Sequence, residues 1–255
     1  MDCKKALTET EGDFEKAIEA LRKKGQKVSA ARADRTTTEG IVLTKTDNGY
    51  GVMIALGCET DFVAKNDTLQ QLAQQILEVA FTHKPATTEA LLALDIEGMS
   101  IQDKITELVG RIGEKVTVSA YTSLRSETVV PYIHTGSKLG VLVGLQGGQG
   151  VQVVEAGKDV AMQIAAMNPV ALSKEEVANE VIEKELAIAR EQARNEGKPE
   201  AMLDKIAQGK LNKFIKENTL LQQPFVKDNS VTIAQYLENV TRGLTVVAFE
   251  RVTVA

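Results

Sequence analysis

The chain repeats itself, and this limits its fold more than any other feature. Gly51-Val-Met-Ile-Ala-Leu56 returns as Gly140-Val-Leu-Val-Gly-Leu145, an offset of 89 residues, and Leu72, Ala73 and Ile76 return as Val160, Ala161 and Ile164 at an offset of 88. Each copy joins an apolar strand-like run to apolar residues at helical spacing. Two such copies predict an α+β fold with two related subdomains, each a small antiparallel sheet with flanking helices.

In the first copy, Gly40–Thr46 and Tyr50–Cys58 read as strands joined by Asp47-Asn48-Gly49, because Asn-Gly accepts the positive φ of a type I′ turn. The second strand runs into Cys58-Glu-Thr-Asp-Phe-Val-Ala-Lys-Asn-Asp67, ahead of a helix with Leu69, Leu72, Ala73, Ile76 and Val79 on one face. That stretch is a strand-to-helix corner. It has two readings: Asp61 caps a helical turn and Phe62 folds into the core, or Phe62 is an apolar wedge offered to a partner beside a carboxylate. The second copy carries Gly150-Val151-Gln152-Val153 at this place. A scaffold requirement would fall on both copies, so the asymmetry favours a function for Asp61 and Phe62.

The remaining elements follow from caps and periodicity. Asp2–Thr8 reads as a short helix, and Asp13 caps a second helix through Lys24, with Phe14, Ala17, Ile18 and Leu21 on one face and Gly25 as its stop. Six basic residues between Arg22 and Arg35 stand against one acid, Asp34, and read as a solvated helix end and tether. Ser100 caps a helix with Ile101, Ile105, Leu108, Val109 and Ile112 inward, ending at Gly113, and strands follow at Lys115–Tyr121 and Val129–His134. Gly144–Gly150 lacks both the Gly-Lys-Ser/Thr ending of a phosphate loop and the third glycine of a dinucleotide fingerprint, so it reads as a flexible turn into a helix at about Glu155–Met167. Ser173-Lys-Glu-Glu176 reads as a capping box opening a long helix to about Asn195, with Ala178, Ile182, Leu186, Ala189 and Ala193 in a stripe. Gly197-Lys-Pro199 turns into a second helix with Leu203, Ile206, Leu211 and Phe214 on one side, making an antiparallel helical hairpin. Gln223–Val226 restarts the core, Thr232 or Ser230 caps a helix through Leu237, and Gly243–Val254 alternates as a closing strand. The expected division is 1–35 for a short helical N-terminal module and linker, and 36–124 for the first core subdomain. Residues 125–171 with 223–255 form the second subdomain, and 172–222 the inserted hairpin.

Composition narrows the function. A net charge of −5, with 4% aromatic residues, argues against a general nucleic-acid binder, which needs a basic surface and stacking rings. Two histidines and two cysteines without a Gly-x-Ser-x-Gly elbow give neither a triad nor a four-ligand zinc site, so no enzyme is expected. Two distant cysteines suit a reducing compartment, and no apolar run suggests a membrane span or leader, so a cytoplasmic chain is expected.

Thr60-Asp61-Phe62-Val63-Ala64-Lys65 resembles one signature of the elongation factor Ts family, the guanine nucleotide exchange factors of elongation factor Tu. Met1-Asp2-Cys3-Lys4-Lys5-Ala6-Leu7 resembles the family's other signature, the two stand in the family's order, and family-like segments run to about Val254. The resemblance implies an exchange factor that binds elongation factor Tu in its GDP-bound and nucleotide-free forms, with no cofactor, metal or nucleotide of its own. It implies partner contacts at Thr60, Asp61, Phe62 and Val63, at Ile112 and Gly113 beside that tip, and at His134, Met1, Lys4 and Val226. It also implies a ubiquitin-associated-like N-terminal module, here expected without its first helix, and a core without the family's further C-terminal helix. Some members use the helical hairpin for self-association, so the implied homodimer would form there. Ala55-Leu56-Gly57 departs from the family's Glu-aliphatic-Asn before the cysteine. The alternative is a non-catalytic protein- or RNA-binding module of the translation apparatus.

Overall fold

The structure, a computed structural model, describes residues 2–254. The chain opens with α1 (Asp2–Glu9), a turn in which Glu11 and Gly12 take φ of 53° and 85°, and α2 (Phe14–Ala31), capped by Asp13 through the backbone N–H of Lys16. Next come β1 (Glu39–Asp47) and β2 (Tyr50–Cys58), the one-turn α3 (Asp61–Ala64), α4 (Asp67–His83) and α5 (Thr88–Leu92). The short β3 (Asp95–Ile96) and β4 (Met99–Ser100) precede α6 (Ile101–Ile112), β5 (Val116–Arg125), β6 (Thr128–Ile133), β7 (Leu139–Gln146) and α7 (Val151–Met167). The last part holds α8 (Asn179–Asn195), α9 (Glu200–Asn218), β8 (Pro224–Phe225), β9 (Asp228–Thr232), α10 (Ile233–Val240) and β10 (Thr245–Thr253). The fold is α+β. Its two three-stranded sheets run β1-β2-β5 and β10-β7-β6, so the repeated apolar strands β2 and β7 are each central.

The described residues divide into two units: one running to Leu124, with Pro131–Leu142 and the residues from Glu250, the other Arg125–Val130 with Val143–Phe249. In the first unit, Asn48 and Gly49 take φ of 46° and 73°, as the hairpin turn requires, and Asp47 pairs with Tyr50. Every residue of β2 is buried. Val52, Ile54 and Leu56 pack with Leu69, Ala73 and Ile76 of α4 and Ile101, Ile105 and Leu108 of α6. Ser100 caps α6 and Gly113 ends it at φ 81°, as the sequence predicts.

In the second unit α7 buries Val153, Ala156, Val160 and Ile164, and α10 buries Ile233 and Leu237 under a capping box at Thr232. The buried amide of Gln163 donates to Gln223 Oε1 at 3.0 Å and accepts the N–H of Val226 at 2.9 Å, so the polar pair satisfies itself inside the core.

Several local expectations are overturned. Gly25 does not stop α2, which continues to Ala31, because Gly25 is buried where α2 passes α6. Phe14 and Ile18 stay 68% and 45% exposed, so the apolar face of α2 is buried only in part. The helix α7 starts one turn earlier than expected, because Gly150 at φ 99° turns directly into it. No capping box forms at Ser173: its hydroxyl donates to Glu175 at 2.7 Å, and residues 174–176 make a single 3-10 turn. Val177 is extended and buried, and that packing outweighs continuation of the turn, so α8 begins at Asn179. On α9 the buried row is Leu203, Ala207, Leu211 and Ile215, which leaves Ile206 and Phe214 half-buried.

Candidate functional site

The corner after β2 is built from Thr60 outward. Thr60 is extended (φ −125°, ψ 155°), and its Oγ1 accepts the N–H of Val63 at 3.4 Å, which caps α3. The N–H groups of Ala64 and Lys65 close the turn on the carbonyls of Thr60 and Asp61, each at 3.1 Å. Successive helical residues point about 100° apart. Fixing Val63 in the core at 7% exposure therefore turns Phe62 outward, where it is 82% exposed. The reading with Asp61 as cap and Phe62 in the core fails on both counts. Asp61 instead pairs with Lys65 at 2.8 Å, and the hydrogen bond from that ammonium holds its carboxyl below the usual 3.8.

Two carboxylates brace this turn from beneath. Glu114 accepts the N–H of Thr60 at 3.1 Å and its hydroxyl at 3.0 Å. Glu59 accepts the N–H of Lys115 at 2.7 Å and the guanidinium of Arg32 at 2.9 Å. The first of these bonds does most to hold the Glu59 carboxyl below 4.5. Lys115 Nζ donates to the carbonyls of Ala33 and Arg35 at 2.7 and 2.8 Å. The end of the basic stretch, Arg32 to Arg35 after α2, is thus bound to the foot of the corner and is not a free tether. Cys58, buried below it, donates its thiol to the Thr60 carbonyl at 3.2 Å, and burial pushes that thiol up to about 11.

Thr60, Asp61, Phe62 and Val63 form one turn, and the helix end at Ile112 and Gly113 delivers Glu114 to it. Ile112 packs half-buried on the first unit's core, while Gly113 has open space where a Cβ would sit. The other named residues lie on separate elements. His134 is exposed in the turn between β6 and β7, with Nδ1 2.9 Å from the Tyr132 hydroxyl. Lys4 is exposed on α1, and Val226 is 44% exposed in the turn after β8. Met1 lies outside the described residues. Sequence reasoning missed Arg32, Glu59, Glu114 and Lys115 as a set; the only sign was an acid placed directly before the corner and another directly after the Gly113 stop. Among the described residues no group of three or more His, Cys, Asp or Glu side chains could hold a metal ion. No helix among them is long and apolar enough to cross a membrane.

Fold and corner define an α+β protein that carries a braced, solvent-facing aromatic beside a paired carboxylate. A family model described as Elongation factor TS matches residues 59–255. The chain is 64% identical over 256 residues to elongation factor Ts of Amoebophilus asiaticus, covering 100% of this chain and 92% of that one. It is 56% identical to elongation factor Ts of Cytophaga hutchinsonii, with 100% and 93% covered, and 50% identical to that of Porphyromonas gingivalis, with 99% and 92% covered. The chain belongs to the elongation factor Ts family and is a translation elongation factor.

Proposed function

We propose that the chain is a guanine nucleotide exchange factor for elongation factor Tu, acting by binding and not by a covalent step of its own. The observation that carries this reading is the exposure of Phe62 on a turn whose next residue, Val63, is fixed in the core. A large aromatic held outward on a fixed turn is the kind of side chain that anchors an interface by filling a partner's pocket. Phe62 wedges into an apolar pocket of the GTPase domain. Asp61, leaving Lys65, acts on the region that holds the partner's Mg²⁺. Loss of that ion removes a bridge between the β-phosphate and protein, so GDP is held less tightly. Linkage sets the direction: a factor that favours the nucleotide-free partner must be weakened by nucleotide in the same ratio. GDP, GTP and Mg²⁺ belong to the partner. Ile112 and Gly113 extend the contact beside the tip, and His134, Lys4, Met1 and Val226 add contacts outside it.

The test is release of a fluorescent GDP analogue from elongation factor Tu. Catalytic amounts of this chain should speed release, while the chain alone binds no GDP or GTP. Binding to the partner with an unchanged release rate would reduce the chain to a binding module of the translation apparatus.

A further inference from the structure

Glu59 and Glu114 form a reciprocal clasp across two distant segments. The Glu59 carboxylate takes the N–H of Lys115, and the Glu114 carboxylate takes the N–H of Thr60, so each acid holds the backbone next to the other. The Glu114 half also reaches the hydroxyl that caps α3. Every polar atom of Thr60 is engaged: its N–H and Oγ1 by Glu114, its carbonyl by Cys58 and Ala64, and Oγ1 again by Val63. A helix of one turn has no stability of its own, since nucleation fixes several dihedrals for a single bond. The direction of Phe62 therefore depends on what holds Thr60.

We propose that Glu114 is a positioning residue for nucleotide exchange: half-buried beneath the corner, it holds Thr60 so that Phe62 stands in its docking geometry before the partner arrives. This rests on the reading of Phe62 as the wedge. Without the clasp the turn would be ordered only on docking, and its conformational entropy would be lost at that moment. Charge-assisted bonds to both a backbone N–H and a hydroxyl suit the task, because they fix position and rotation together.

The experiment is a double-mutant cycle with a structural readout. In Glu114→Ala, amide hydrogen exchange at Thr60 and Val63 should rise while amides within α4 and α6 keep their protection. The kcat/KM for GDP release should fall about tenfold, with a smaller change in turnover at saturating partner. In a Phe62→Ala background the same substitution should cost less than about twofold, because its effect passes through the wedge. Glu114→Gln keeps the size and one acceptor oxygen, and the cycle is repeated on it if the alanine variant melts below the assay temperature. Equal losses in both backgrounds would mean that Glu114 acts on the partner directly or through the fold as a whole, and would overturn the proposal. Undisturbed Thr60 and Val63 amides would overturn it as well. If Phe62→Ala alone leaves exchange intact, wedge and clasp fall together; if Phe62 matters and Glu114 does not, only the clasp falls.

Discussion

Gly110 of α6 meets Gly25 of α2 with no room between them: a Cβ on Gly110 would lie 2.6 Å from the Cα of Gly25, and one on Gly25 would lie 3.0 Å from the Thr106 carbonyl oxygen. The backbones touch because neither residue carries a side chain at the crossing. Gly110→Ala must push the helices apart, and overpacking of this kind costs about 1–3 kcal/mol. Gly209 on α9 is the control, because a Cβ there meets nothing within 4 Å. Gly209→Ala should stabilise by about 0.4–1 kcal/mol through helix propensity and chain entropy. Denaturant unfolding of the two variants should therefore move in opposite directions.

The same pair shows why part of the fold was legible and part was not. Gly25 and Gly113 both follow a helical apolar pattern, and both read as helix stops. Gly113 is one, at φ 81° in open space, whereas Gly25 continues its helix because Gly110, far along the chain, leaves a groove for it. Local signals carried the hairpin at Asn48-Gly49, the cap at Ser100 and the two repeated strands, since those choices are made by a few neighbouring residues. The corner was legible as a corner, but the direction of Phe62 was not, because it hangs on Val63 packing and on Glu114, 54 residues from Thr60. Ser173 failed for the same reason: its capping signature is complete, yet burial of Val177 decides the backbone there.

The clasp has a pH signature. Glu59 is held below its ordinary 4.5, chiefly by the Lys115 N–H it accepts and then by Arg32. A carboxyl lowered in the folded state is ionised there while the unfolded chain has already taken its proton. Its contribution is therefore complete above the unfolded value and is lost as pH falls through the folded one. The gap in melting temperature between the parent and Glu59→Gln should be full near pH 7 and should close as pH falls below 4.5 and through the lowered folded value. A gap that survives at low pH would show that lost packing, not lost charge, separates the two.

The helical hairpin should be dispensable for exchange. Ala189 and Ala193 of α8 and Leu203, Ala207, Leu211 and Ile215 of α9 are its buried residues, and Arg190 bridges to Asp204 at 2.7 Å across the pair. Below it, Leu220 and Leu221 donate to the carbonyls of Ala171 and Leu172 at 2.9 and 3.0 Å, so the base is closed by bonds outside α8 and α9. Replacing Asn179–Phe214 by a short Gly/Ser link also keeps Glu217, whose carbonyl accepts from Gln223. That variant should fold and retain most of its GDP-release activity; a fall of about a hundredfold in a folded protein would place a partner contact on α8 or α9.

Phe62 separates a structural role from a docking role more cleanly than any other position. A core phenylalanine cut to alanine loses about 3–5 kcal/mol, but Phe62 is 82% exposed and leaves no cavity when shortened. Phe62→Ala should therefore keep the parent melting temperature while partner binding weakens by about 2–4 kcal/mol, the range of an interface hot spot, or roughly 30- to 1000-fold. Asp61→Asn keeps the wedge and removes the charge that Lys65 now pairs with. Its defect should be smaller, and it should shrink further when free Mg²⁺ is chelated, since chelation performs the step assigned to the carboxylate. Titration calorimetry against nucleotide-free elongation factor Tu, run beside thermal unfolding, reads both quantities. A lowered melting temperature in Phe62→Ala with unchanged affinity per folded molecule would return this corner to the scaffold and leave the docking surface to be found elsewhere on the chain.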